Sequence, residues 1–377
     1  MTSALPRQIL VPLIVACALF MENLDSTVLS TSLPAIARSL GENPLHLNLA
    51  ITSYLFSLAV FIPISGWVAD RFGARQVFRA AIVVFTAGSI LCGTSDSLTG
   101  FVLARILQGI GGAMMVPVGR LVVLRTVSKV ELVRAMAYLT VPALVGPVLG
   151  PPLGGFITTY VSWRWIFWIN VPIGILGVIL VSLFIEDIRE LRPPPLDLRG
   201  FLLTAAGLTG LVVGFETVGR GVLPTGTILA LSAVGSAFLT LYVRHARRTA
   251  HPAIDLTLLR IPTFRASLVG GLLFRVGIGA EPFLLPLMLQ AGFGMSAFES
   301  GTLTFVTAVG ALTMKLSVEP ILRRFGFRPV LVANALICGG VLMTYGLLEP
   351  GTPAWVIMAL LLAAGFFRSL QFTSINT

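Results

Sequence analysis

Apolar residues fall in long unbroken runs near 9–33, 47–69, 77–95, 99–119, 136–159, 164–185, 199–217, 226–243, 266–291, 298–316, 329–348 and 353–376. About 20 apolar residues in helical conformation cross the hydrocarbon of a bilayer. The pattern therefore predicts twelve spanning helices and an all-α polytopic membrane protein. One arginine, Arg7, precedes the first run, as in a secretion signal, but no small-residue cleavage site follows and the run is long enough to span. The first run is expected to stay as a helix.

Charge confirms the class and suggests an orientation. Charged residues make up 11% of the 377, where soluble domains carry about 25%. The net charge of +10 does not indicate a nucleic-acid partner, because the basic residues sit in short loops and form no arm or patch. They alternate from loop to loop. One set holds Arg7, Arg71, Arg75, Arg79, Arg120, Arg125, Lys129, Arg134, Arg189, Arg192 and Arg199, then the loops around Arg244–Arg265 and Lys315–Arg328; the other holds Arg38, Arg164 and Arg220. The positive-inside rule puts the amino terminus in the cytoplasm. Two longer cytoplasmic linkers, 186–199 with Pro193, Pro194 and Pro195, and 244–265, flank a helix pair whose main intramembrane charge is Glu216. Cys17, Cys92 and Cys338 lie within apolar runs and are read as packing residues, not a disulfide framework.

The charges that remain inside the runs are the candidate chemistry. Glu22 and Asp25 are three residues apart in the first run and share a helix face. A carboxylate at bilayer depth costs roughly 2.5–3.5 kcal/mol on insertion scales, so such residues mark a substrate, ion or proton path. In the fourth run Arg105 and Gln108 share a face ahead of Gly109, Gly111 and Gly112. Arg105 is either a fixed clamp or a cation that lowers the proton affinity of a nearby carboxylate in one conformation only. In the ninth run Arg275 and Glu281 are separated by about 240° of helical rotation and do not pair with each other. Glu281 is either a cavity carboxylate or an acid near the outer surface, Arg275 calls for an acid on another helix, and Arg368 in the last run has no assigned role.

Several motifs are more specific. The loop from Gly66, GWVADRFGARQV, returns as EPILRRFGFRPV from Glu319, with Phe72-Gly73 matching Phe325-Gly326, Arg71 matching Arg324 and Arg75 matching Arg328. Such an echo points to duplicated halves. Gly66, Asp70, Arg71, Gly73 and Arg75 resemble the signature loop of the major facilitator superfamily, which implies a latch between helix ends; the second copy departs from it at Glu319 and Arg323. Arg105-x-x-Gln108-Gly109 is similar to the superfamily's fourth-helix motif, assigned to proton coupling. In the fifth run Gly146, Pro147, Gly150, Pro151, Gly154 and Gly155 resemble the antiporter motif of its drug:proton exporters, absent from the sugar symporters. The segment Trp163–Gly174, with Leu24-Asp25-x-Thr27 and Leu33-Pro34, resembles the fourteen-helix drug:proton branch.

That resemblance implies a major facilitator fold: a first six-helix bundle over 1–190, an inserted pair over 191–250, and part of a second bundle, four helices, over 251–377. It implies two more helices beyond Thr377. It also implies proton-coupled export of an amphipathic drug or toxic compound by alternating access, with Asp25 ranked above Glu22 as the coupling carboxylate. The expected partners are a small-molecule substrate, protons and lipid, for a monomer in the cytoplasmic (inner) membrane. An exporter or importer of one specific metabolite on the same fold is the alternative. A membrane-embedded enzyme is remote: His46, His245 and His251 fall in loops, no HExxH, GxSxG or paired-cysteine pattern is present, and Gly109-Ile110-Gly111 lacks the strand and third glycine of a dinucleotide loop. No cofactor is expected.

Overall fold

The computed structural model describes residues 7–128, 131–187, 195–218 and 223–376. Lys129, Arg189, Arg192, Pro193, Pro194 and Arg220 lie outside the described residues. The described residues form helices α1 (Arg7–Leu40), α2 (Asn48–Phe72), α3 (Ala74–Thr94), α4 (Leu98–Thr126), α5 (Leu132–Tyr160), α6 (Trp165–Trp168) and α7 (Asn170–Phe184). There follow α8 (Leu198–Thr217), α9 (Thr225–Ala246), α10 (Pro262–Ile278), α11 (Glu281–Leu287), α12 (Ala297–Phe325), α13 (Phe327–Thr344) and α14 (Ala354–Asn376). Ten helical segments among them are long and apolar enough to cross a membrane, and an eleventh if the bent α12 counts as one. The remaining expected run, 136–159, lies within the 29-residue α5.

The chain divides into two compact units. One comprises residues up to Glu22, Leu45–Leu144 and Phe167–Thr257; the other comprises Asn23–Pro44, Val145–Ile166 and Leu258–Thr377. In the first, Val15, Phe78, Phe85, Met115, Val118 and Val122 form a buried core among α1, α3 and α4. Here α3 and α4 meet through glycine. A Cβ on Gly111 would lie 2.8 Å from the Ala81 carbonyl, and one on Gly88 2.7 Å from the Gln108 backbone. Helices α8 and α9 use the same device, with Gly210 against Gly235, and α8 is tied to α2 where Thr52 Oγ1 donates to Glu216 Oε1 at 2.5 Å. In the second unit Leu285, Leu289, Leu303, Ile357 and Leu361 form one buried cluster. Gly310 and Gly365 bring α12 and α14 together against the carbonyls of Leu362 and Thr307.

The repeated loop has one backbone in both copies. Gly73 (φ 94°) joins α2 to α3 and Gly326 (φ 75°) joins α12 to α13. Positive φ is disfavoured for residues with a Cβ, so the matched Phe-Gly pairs fix two equivalent helix-to-helix turns. The stripe in α5 also has a physical role. Cβ atoms on Gly150, Gly154 and Gly155 would meet Thr27, the Val28 carbonyl and the Ala297 carbonyl. Gly66, by contrast, faces open space, so its place in the loop motif does not come from close packing.

The ninth run departs from the expected continuous helix. It is interrupted at Gly279–Ala280, resumes as α11, and ends in a π-helical turn over Met288–Gly292. Pro282 explains the interruption, since it lacks an N–H and crowds the preceding turn, while Pro286 lies inside α11. The Ala280 carbonyl instead accepts from the amides of Phe283 and Leu284 at 3.1 and 2.8 Å.

His245, expected in a loop, lies in the last turn of α9. Its Nε2 is 2.6 Å from Asp197 Oδ1, and Asp197 also accepts from the amides of Gly200 (2.9 Å) and Ala253 (3.1 Å). Burial works against the Asp197 charge, but the Gly200 amide, His245 and the Ala253 amide outweigh it and hold the carboxyl below its usual 3.8. A lowered folded-state value means stabilisation that is complete above the unfolded value and lost as pH falls through the folded one.

Two predictions follow the packing. Gly154→Val places side-chain atoms against the Val28 carbonyl and lowers stability by about 1–3 kcal/mol, whereas Gly66→Ala raises it by up to about 1 kcal/mol; thermal unfolding in detergent reads both. Acidification below the usual aspartate value weakens the native protein more steeply than Asp197→Asn, as measured by unfolding midpoints across pH.

Candidate functional site

Arg105 is 1% exposed on α4, and an arginine removed from water must have its donors and charge met locally. Nε donates to the Ala50 carbonyl of α2 at 3.2 Å and Nη1 to Gln108 Oε1, one turn along α4, at 2.5 Å. The guanidinium also lies 4.4 Å from the centroid of the Tyr54 ring, a cation–π geometry that strengthens when water is absent. The hydroxyl of the same tyrosine donates to Glu22 Oε1 of α1 at 3.3 Å. Tyr54 is thus a physical link between Glu22 and Arg105. Gly112 makes room for it, since a Cβ there would stand 2.8 Å from the hydroxyl.

The network continues away from Glu22. Gln108 Nε2 donates to Ser89 Oγ at 3.3 Å, Asn170 Nδ2 of α7 donates to the same oxygen at 2.9 Å, and Ser89 Oγ donates to the Phe167 carbonyl at 3.0 Å. Cys92 Sγ lies 3.7 Å from Gln108 Oε1. Gln108, Ser89, Cys92 and Asn170 are all fully buried, so each bond counts for more than it would in water. Arg105 and Gln108 are therefore brought together as their spacing predicts. Tyr54, Ser89 and Asn170 went unrecognised in the sequence, where an isolated hydroxyl or amide in an apolar run carries no periodic signal; the nearest thing to one is that Asn170 opens α7 within the aromatic segment.

Asp25, three residues beyond Glu22 on α1, is 3% exposed and belongs to the second compact unit. Beside it, Thr27 Oγ1 donates to the Asn23 carbonyl at 2.9 Å and approaches the Gly146 carbonyl of α5 at 3.5 Å. Gly146, Pro147, Gly150, Pro151, Gly154 and Gly155 all lie on α5, and Pro151 receives Gly301 of α12 against its carbonyl. One turn further along α1, Gln290 Nε2 donates to the Thr31 carbonyl at 2.8 Å, and Ser32 and Thr158 hydroxyls lie 2.7 Å apart.

At the signature loop, Asp70 pairs with Arg125 of α4, Nη2 to Oδ1 at 2.7 Å, with both side chains 24% exposed. Arg75 donates to the Ser182 carbonyl at the end of α7, while Arg71 is exposed. The acid of the motif is thus matched by Arg125, which the sequence placed only among the orienting charges. In the second copy Glu319 and Arg323 form an exposed i,i+4 pair at 3.4 Å, a weak contact without the cross-helix character of the first.

In the ninth run Glu281 is 8% exposed and bonded to Arg368 and Tyr345. Arg275, expected to meet an acid on another helix, is exposed and packs over the Phe372 ring at 5.7 Å. The reason is its exposed position: the side chain leaves the packed interior where an acid on another helix would meet it.

The Major Facilitator Superfamily model matches residues 15–377. A multidrug resistance protein MdtD of Salmonella heidelberg (strain SL476) is 42% identical over 367 residues, covering 97% of this chain and 77% of its own. Among solved structures, the POT family transporter PepTSo superposes with a TM-score of 0.67 at 16% identity, over 99% of this chain and 83% of that one. The partially occluded, inward-open xylose transporter XylE from E. coli gives 0.65 at 14% identity, over 98% and 83%. Through its apolar helices, its polar network and the family match along nearly its whole length, the chain belongs to the Major Facilitator Superfamily of membrane transporters.

Proposed function

We propose that the protein exports amphipathic drugs or toxic compounds across the cytoplasmic membrane in exchange for protons, as a monomer with its amino terminus in the cytoplasm. The observation that carries the reading is Arg105, fully buried on α4 and joined through Tyr54 to Glu22. The identity to MdtD proteins named for multidrug resistance supports a drug as the transported solute. A family of transporters leaves no place for the enzyme alternative.

Asp25 is the carboxylate that carries the proton; it is buried on the same face of α1 as Glu22. Glu22 lies one turn before it on the same helix, and Arg105 is linked to Glu22 through Tyr54. When Glu22 is ionised, it accepts from the Tyr54 hydroxyl, and the Arg105 cation rests on that ring. A shift of α1 when Asp25 takes up a proton moves this Glu22 acceptor relative to the Tyr54 hydroxyl. A change on α1 is thereby passed to α4 and α2 without moving the guanidinium from the Ala50 carbonyl. Gln108, Ser89 and Asn170 keep the far side of Arg105 in place.

Alternating access then consists of the first bundle, 1–190, and the second, from 251, rocking about a midplane site, with 191–250 as the inserted pair. The Asp70–Arg125 pair latches α2 to α4, and the Arg75–Ser182 contact latches α3 to α7, at one end in one state, and the glycines of α5 let helices approach closely. Gly73 turns α2 into α3 beside them, with Gly66 and Arg71 on the exposed end of α2. Each elementary charge moved along the membrane potential supplies roughly 2.3 kcal/mol per 100 mV, which drives export.

The test uses the complete gene product in inside-out vesicles with an acidified lumen. Adding a lipophilic cation to the native protein releases luminal protons, and Asp25→Asn at equal insertion reduces release to the background of empty vesicles. Unchanged release in Asp25→Asn overturns the assignment. Tyr54→Phe keeps the ring under Arg105 but removes the donor to Glu22, so exchange persists with a shifted pH profile.

A further inference from the structure

We propose that Glu281 is a second proton-exchanging carboxylate whose ion pair with Arg368 opens and closes during transport. The proposal rests on the proton-coupled reading above. Glu281 Oε2 accepts from Arg368 Nη1 of α14 at 2.7 Å, and Oε1 accepts from the Tyr345 hydroxyl, just beyond α13, at 3.3 Å. One acid therefore ties three helical segments together. Among the described residues these two are its hydrogen-bonding and ionic partners. Cys338 of α13 lines the small gap between Glu281 and Arg368, and Arg275 of α10 is directed to the Phe372 ring instead.

Two further observations separate this pair from a fixed structural clamp. First, Glu281 stands at the interruption of its span, between Gly279–Ala280 and Pro282, with a π-helical turn following at Met288–Gly292. Backbone irregularity at membrane depth is tolerated where it serves a cavity, and discontinuous helices and π-turns gather at working sites. Pro282 has no N–H to bond back to α10, so the backbone hydrogen-bond ladder between α10 and α11 is weakened there. Second, a cavity of about 710 Å³ reaches Glu281 between α10, α11 and the end of α13. Its wall includes Ala280, Leu284, Met288 and Tyr345, and its ionisable groups are the Glu281 carboxylate and the Tyr345 phenol. A proton entering there meets one strong acceptor.

The step balances simply. A proton adds to the Glu281 carboxylate, giving a neutral carboxyl group; Arg368 keeps its charge, and the cluster goes from neutral to singly positive. The guanidinium side chain, 27% exposed against 6% for Glu281, can swing to water or substrate-facing dipoles. Loss of the proton restores the pair. With Asp25 as the first site and Glu281 as the second, one monovalent cation leaves for two protons entering, and each cycle moves one net charge.

The experiment measures protons released per tetraphenylphosphonium taken up by inside-out vesicles carrying the complete gene product, and the response of uptake to an imposed potential at equal pH. The native protein is expected to give a ratio near two and to respond to potential; Glu281→Gln is expected to give a ratio near one and to be indifferent to potential. Because Glu281→Gln orphans Arg368, Glu281→Gln with Arg368→Gln is measured too and is expected to match the single variant. A native ratio of one, or a ratio of two kept in either variant, overturns the second site and leaves the proton-coupled reading intact. A native protein that exchanges no protons for the cation overturns both.

Discussion

A charge inside hydrocarbon has to be answered by another charge, a dipole or an aromatic face, and the polar architecture of this transporter follows from that requirement. Arg105 is the clearest case. It draws the Ala50 carbonyl, Gln108 and the Tyr54 ring around itself, and through Tyr54 it comes within reach of Glu22. Breaking a buried charge pair from one side costs about 3–5 kcal/mol, so each neighbour is constrained in turn: Gln108 by Ser89, Ser89 by Asn170 and the Phe167 carbonyl. Glu281 with Arg368 obeys the same rule, while Asp70 meets Arg125 at the helix ends.

Apolar packing solves the other half of the problem. Between helices in lipid there is little hydrophobic drive, and contact relies on small residues that let backbones touch. Among the described residues glycine does this for α3 with α4, α2 with α4, α3 with α7, α8 with α9, α12 with α14, and α5 with α1 and α12. In the α5 stripe three glycines face a hydroxyl side chain or a carbonyl at distances that exclude a Cβ. The same residue type acts differently at Gly73 and Gly326, where positive φ turns one helix directly into the next.

The two halves divide these roles unequally. The first copy of the repeated loop carries the Asp70–Arg125 pair across helices, whereas the second keeps only the turn and an exposed Glu319–Arg323 contact on a single helix. In exchange, the second half holds the interrupted span with Glu281 at its break. Both copies keep the backbone device, and their charged residues make different contacts.

The sequence by itself determined the membrane class, the positions of the helices and the equivalence of the Phe72-Gly73 and Phe325-Gly326 turns, because hydropathy, period and positive-φ glycine are local properties of the chain. It also brought Arg105 and Gln108 to one face, since they are a single turn apart. Only the tertiary structure decided that Tyr54 joins Glu22 to Arg105, that Asp70 belongs with Arg125, and that Arg368, without a role in the sequence, is the counter-charge of Glu281. Those partners lie 32, 55 and 87 residues apart, and no helical period relates them. The break at Gly279–Ala280 was hidden for the opposite reason: the residues around it read as one apolar spanning run, and the cost of Pro282 emerges only when the backbone must satisfy its own hydrogen bonds.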